Sequence, residues 1–138
     1  MEFRNAEWAN DKVYAELERR RVSLVTADAP DLPGMFPALD IVTNPALVYV
    51  RFHGRTALGW RLNKMATRFD YDYSDGEMST WIEEKLRGLI NRAKTGVLFF
   101  SNHVRGQASR NALRLTELLQ AVGLSVGTPD SKCPTAIR

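Results

Sequence analysis

A chain of 138 residues, 44% hydrophobic and 25% charged, is long enough for one domain and too apolar for a disordered or low-complexity segment. Its 19 basic and 16 acidic residues leave a net charge of +3, too mild and too dispersed to argue by itself for a nucleic-acid-binding stripe. A single cysteine, Cys133, excludes an internal disulfide, sits in no metal-ligand spacing and suits a reducing cytoplasm, while no signal peptide and no apolar run near the ~20 residues of a membrane span are visible.

Glu2-Phe3-Arg4 reads as the end of a strand whose beginning is missing. Asn10 is a fair N-cap, and Val13, Tyr14 and Leu17 recur at helical spacing, which predicts a helix over about 10–20. The basic run Arg19-Arg20-Arg21 then falls at the helix C-terminus, where cations complement the dipole. Residues 22–27 predict a strand closed by Asp28. Residues 28–46 carry Pro30, Pro33, Gly34, Pro37 and Pro45 and predict a long loop.

The run 47–53 predicts the central strand. Side chains alternate along it, so Val48, Val50 and Phe52 share one face and Tyr49, Arg51 and His53 the other. Residues 54–68, with several cations and Trp60, fit no single element. Ser74 and Glu77 form a capping box ahead of an apolar stripe from Met78 to Ala93, which predicts a helix over 75–93. A buried strand over 97–101, a turn over 102–106 and a helix over 107–121 stopped by Gly123 follow. One domain over 1–122 and a loose tail over 123–138 are the expected organisation.

Alternating strands and helices predict an α/β fold with parallel strands, about four of them, flanked by helices. In such folds ligands bind at the carboxyl ends of strands. Those ends carry Glu2 and Arg4 with Trp8 just beyond, then Asp28, then Arg51 and His53, then Asn102 and His103. Each has an ordinary structural reading, as an ion pair, a turn residue, a cap or a packed ring; their convergence on one rim is the stronger signal. Two histidines exclude a three-histidine zinc site, and no metal is expected, although two histidines with Glu2 or Asp28 would make a weaker set. No phosphate-binding glycine loop, metalloprotease helix or nucleophile elbow is present, so no motif names a cofactor.

The motifs Glu-Phe-Arg-Asn-x-x-Trp at 2–8, Ala-Asp-x-Pro at 27–30, Tyr-Val-Arg-Phe-His-Gly at 49–54, Tyr-x-Tyr-Ser-Asp at 71–75 and Phe-x-Asn-His-x-x-Gly-x-x-x-x-Asn-Ala at 100–112 resemble the YecE-like family, catalogued as domain of unknown function 72. The resemblance covers 2 to about 122. It implies a (β/α) barrel similar to the TIM barrel, with no established activity, substrate or cofactor. Family members are about twice as long, so the resemblance implies a partial, half barrel matching their C-terminal half. Position 101 is serine where members tend to carry asparagine.

Three functions remain open at this point. In a barrel enzyme, His53 is general acid or base, Arg4 and Arg51 hold a phosphate or carboxylate, Asp28 or Glu2 orients His53 or binds a metal, and Trp8, Asn102 and His103 complete the ligand site. In a non-catalytic nucleic-acid-binding module, Arg51, Arg55, Arg61, Lys64 and Arg68 contact phosphate beside Trp60, Phe69, Tyr71 and Tyr73. The third is an inactive truncated remnant. Expected partners are a small anionic ligand and, because a half barrel has open edges, a second copy or a complementing half; no membrane partner is expected.

Overall fold

In the computed structural model, which describes residues 1–62 and 64–127, Asn10 caps the first helix, α1 (Asp11–Arg19), by accepting from the Val13 N–H. Arg19 and Arg20 both pair with Glu16, at 2.7 and 2.5 Å. Part of the basic run is therefore neutralised within its own helix end.

Among the described residues three parallel strands follow in spatial order, β1 (Val25–Asp28), β2 (Val48–Phe52) and β3 (Gly96–Phe100). The expectation of about four is corrected. Residues 2–4 do not join the ladder: only Met1 touches β1, through Val25 N–H to Met1 O. The Arg4 carbonyl instead accepts from Phe36, and Asn5 forms an isolated antiparallel bridge with Met35. The proline-rich loop thus captures the stretch that would have been the first strand. The start of β1 is also later than position 22, because the Leu24 N–H goes to the Thr43 hydroxyl and the Ser23 carbonyl to the Met1 amine. Thr43 is buried and returns a bond to Val22 O at 2.7 Å, which satisfies its polar group and pins the loop.

Register sets two opposed rows on the sheet. Ala27, Arg51 and Phe99 are aligned, as are Asp28, Phe52 and Phe100 up to the end of β1. The row of Val48, Val50, Phe52 and Phe100 is buried. It packs under the helices: Phe52 stacks on Phe100 at 4.5 Å and meets Trp81 and Tyr73 edge-on at 5.1 and 5.5 Å. The other row, Val25, Ala27, Tyr49, Arg51, Val97 and Phe99, faces away from that core, with Val97 38% and Phe99 50% exposed.

Residues 54–68 form two short helices, α2 (Ala57–Arg61) and α3 (Met65–Arg68). They approach closely at Gly59, where a Cβ would lie 2.4 Å from the Arg68 backbone nitrogen. The capping box is present: Ser74 accepts from the Glu77 N–H and Glu77 reaches back. It opens α4 (Asp75–Trp81), which runs through a π-helical segment (Ile82–Leu86) into α5 (Arg87–Asn91). The wider turn places Ile82 and Leu86 in the core with Met78, Trp81 and Leu89. α6 (Gln107–Ala121) adds Leu115 and Leu119. Leu124 and Val126, at the start of the segment expected to be loose, pack against this core. The rest of that tail, from 128 and including Cys133, lies outside the described residues. No helix among the described residues is long and apolar enough to cross a membrane.

Candidate functional site

Glu2 lies at the centre of a cluster drawn from distant segments. Its Oε1 accepts from His53 Nε2 at 3.0 Å and pairs with Arg4 at 2.8 Å; its Oε2 accepts from Arg51 at 2.7 Å. Burial would raise the carboxyl, but hydrogen bonds from His53 and Arg51 and the charge of Arg4 outweigh it and hold Glu2 at about 2. Arg4 is shifted down from its ordinary value, first by burial and then by the cations of Arg51 and Arg68, against the pull of Glu2. Guanidinium groups therefore crowd one another here.

His53 stands one residue past β2 and is wholly buried. Its backbone N–H is tied to Asp28 O at 2.9 Å, and its ring packs near Trp60 and Phe69 at about 6.0 and 6.1 Å. A carboxylate partner requires Nε2 to carry the proton. Nδ1 has no hydrogen-bond partner among the described residues. The backbone turns away at Gly54, whose φ is +89° and whose position leaves no room for a Cβ, 2.5 Å from Tyr71 Cβ.

Arg51 is held on both sides, by Glu2 and by Ser101 Oγ at 2.9 Å, with its guanidinium 5.7 Å from the Phe99 ring. Arg4 lies over Trp60 at 5.4 Å and Arg68 over the same ring at 4.6 Å. Arg4, Trp60, Arg61 and Arg68 line an open cleft of about 530 Å³ whose remaining wall is Leu32, Pro33 and Met35. A smaller hollow of about 290 Å³ lies between Arg51, Phe69, Phe99, Ser101 and His103.

Of the strand-end residues singled out in the sequence, Glu2, Arg4, Arg51 and His53 meet. His103 borders the smaller hollow, is exposed, and is bonded through Nδ1 to Ser101 O at 2.8 Å. Asp28 does not join them. In register with Phe52, it points to the helix side, where it takes Tyr73 OH at 2.5 Å, Trp81 Nε1 at 2.8 Å and two Arg55 nitrogens. Its carboxylate therefore cannot orient His53. Burial and the Asp28 charge push the Tyr73 hydroxyl well above its ordinary value. Asn102 is also internal, donating to Tyr71 O at 2.7 Å and Asn111 Oδ1 at 2.6 Å, a clamp between β3, the loop before α4 and α6. Trp8 is 52% exposed, stacks on Phe3 at 5.4 Å and does not line the cleft.

The proposed nucleic-acid face is divided. Arg55 is bound to Asp28 and Glu77, Arg51 to Glu2, and Tyr73 is buried. Trp60, Arg61, Arg68 and Ser101 are the lining residues that strand-end reasoning passed over. The cations around Trp60 in 54–68 were the available signal. No group of three His, Cys, Asp or Glu that would hold a metal occurs among the described residues.

Residues 1–135 match the family described as protein of unknown function DUF72. The chain belongs to the DUF72 family. A DUF72 protein from Thermotoga maritima is 36% identical and superposes with a TM-score of 0.79, over 86% of this chain and 44% of that one. A DUF72 protein from Enterococcus faecalis is 32% identical, with a TM-score of 0.76 over 94% of this chain and 50% of that one in one crystal structure, and 0.72 over 86% and 47% in another. This DUF72 chain thus spans about half the length of the solved relatives it matches. No curated protein matches it.

The lowered Glu2 sets a pH dependence. A carboxylate held at about 2 in the fold, against 4.5 as the ordinary value, contributes stability that is fully present above 4.5 and is lost as pH falls towards 2. The stability gap between wild type and Glu2→Gln is expected to shrink between pH 5 and about 2 in chemical denaturation, whereas a gap independent of pH contradicts the ion-pair geometry.

Proposed function

We propose that this DUF72 chain binds a small anion, phosphate- or carboxylate-bearing, at the carboxyl ends of its strands. The observation that carries the reading is the single carboxylate of Glu2 shared by Arg4, Arg51 and His53. One negative charge serves two guanidiniums, and the Arg4 side chain remains 51% exposed. An incoming anion would relieve the cation crowding and gain charge-assisted hydrogen bonds. His53 is the group suited to proton transfer, with Nε2 engaged by Glu2 and Nδ1 unengaged among the described residues. Glu2 is then a positioning residue for His53. The alternative, a purely non-catalytic binder, uses the same cations and leaves His53 as a packing group. Inorganic phosphate titrated calorimetrically into the protein is expected to bind about tenfold more weakly to Arg4→Ala than to wild type; equal affinity contradicts the site.

The finer fold reading is that the chain corresponds to the C-terminal half of a TIM-like (β/α) barrel, with its domain over 1–122, working in the cytoplasm. Two features support the half barrel: the exposed row of Val97 and Phe99, and a match confined to about half of each solved relative. Either a second copy or a complementing half would cover that face. Light scattering is expected to show an assembly larger than one chain, and a monodisperse monomer with sharp thermal unfolding contradicts it.

A further inference from the structure

We infer that the cleft between α2, α3 and the proline-rich loop takes a monocarboxylate with an apolar body. The inference rests on the anion-site reading, names its ligand class and moves the seat of the anion away from Arg51. Arg51 is consumed: one nitrogen is on Glu2, another is on Ser101, and its Nε is buried. Arg4 is different. Its side chain is half exposed, meets Glu2 through one nitrogen at 2.8 Å and lines the cleft.

The three cations of the cleft are not equivalent. Arg4 is matched by Glu2, whose carboxyl is held at about 2. Arg68 is engaged with partners of its own, the Trp60 ring at 4.6 Å among them. Arg61, the last residue of α2, is exposed and makes no ion pair among the described residues. A monocarboxylate fits this set. Its two oxygens take the guanidinium edge that Glu2 leaves on Arg4, and its single charge answers Arg61. A dianion would bring a second negative charge beside Glu2, with no further free cation in the cleft to meet it.

The apolar body follows from the rest of the wall. Leu32, Pro33 and Met35 offer no side-chain donor or acceptor of ordinary strength. They are tied to the segment that carries Arg4: the Arg4 carbonyl accepts from the Phe36 N–H at 2.9 Å, and the Gly34 carbonyl accepts from the Ala6 N–H at 2.9 Å. Cation and apolar surface are therefore held side by side before any ligand arrives. Trp60 already has two guanidiniums over its ring, Arg4 at 5.4 Å and Arg68 at 4.6 Å, so the proline-rich loop supplies the apolar contact. A bare anion would leave that loop surface in water, and an apolar body would cover it. The volume, about 530 Å³, is within the range of small-ligand clefts. No bond is made or broken; the step is recognition only.

The test is an NMR titration of the full chain at pH 8 with phenylacetate, acetate and phenyl phosphate. At that pH the two carboxylates carry one negative charge and phenyl phosphate carries two. Phenylacetate is expected to bind about tenfold more tightly than acetate and at least about threefold more tightly than phenyl phosphate. Arg61→Ala is expected to weaken phenylacetate and acetate by a similar factor, about fivefold. Leu32→Asn and, as a milder check on folding, Leu32→Ala are expected to weaken phenylacetate while leaving acetate within about twofold. Four results overturn the inference: acetate as tight as phenylacetate, phenyl phosphate as tight as phenylacetate, no phenylacetate binding, or phenylacetate binding indifferent to Arg61→Ala. Each leaves the anion site standing where inorganic phosphate binding depends on Arg4. Inorganic phosphate binding that is indifferent to Arg4→Ala removes the anion site itself.

Discussion

A single carboxylate, that of Glu2, joins parts of the chain that are about fifty residues apart. Through it residue 4, the penultimate residue of β2 and the residue after β2 are held at one place. Its partners determine its charge, and its charge determines theirs. Without it, Arg4 and Arg51 would repel across a partly desolvated space, and the buried imidazole would lose the acceptor that fixes its proton on Nε2. Removing one member of a part-buried ionic cluster leaves the others uncompensated, most of all the wholly buried His53, and that asymmetry gives one glutamate its weight.

The parallel sheet separates structural from chemical duties by its two-residue period. The row containing Phe52 and Asp28 faces the helices. There Asp28 is saturated by Tyr73, Trp81 and Arg55, which locks α4 and the loop before it to the sheet. The row containing Arg51 faces the open side, beside Phe99 and Ser101. Two acidic residues near the strand ends thus have opposite fates. The one in the ladder follows its register into the core, and the one outside the ladder gathers cations.

Elements dictated by local chemistry were legible in the sequence. The Asn10 cap, the Ser74–Glu77 capping box and the limits of α6 follow from neighbours a few residues apart. The alternation in β2 correctly divided Phe52 from Arg51. What depends on remote partners was not legible. Residues 2–4 look like a strand end, but the Arg4 carbonyl accepts from Phe36 and the next residue, Asn5, bridges to Met35. Asp28, Asn102 and Trp8 look like rim residues, and each is claimed by packing: a saturated carboxylate, an internal amide clamp and a stack on Phe3. The cleft wall of Trp60, Arg61 and Arg68 needed the close approach at Gly59, which periodicity does not reveal. The family resemblance was sound in name, and it carried no residue roles.

The shared carboxylate is tested most directly by long-range nitrogen–proton NMR of the His53 ring near neutral pH. A proton on Nε2 in the wild type, with that signal displaced in Glu2→Gln, is the predicted result. A bare Nε2 in the wild type, or a ring spectrum that does not notice the loss of the Glu2 charge, would contradict it.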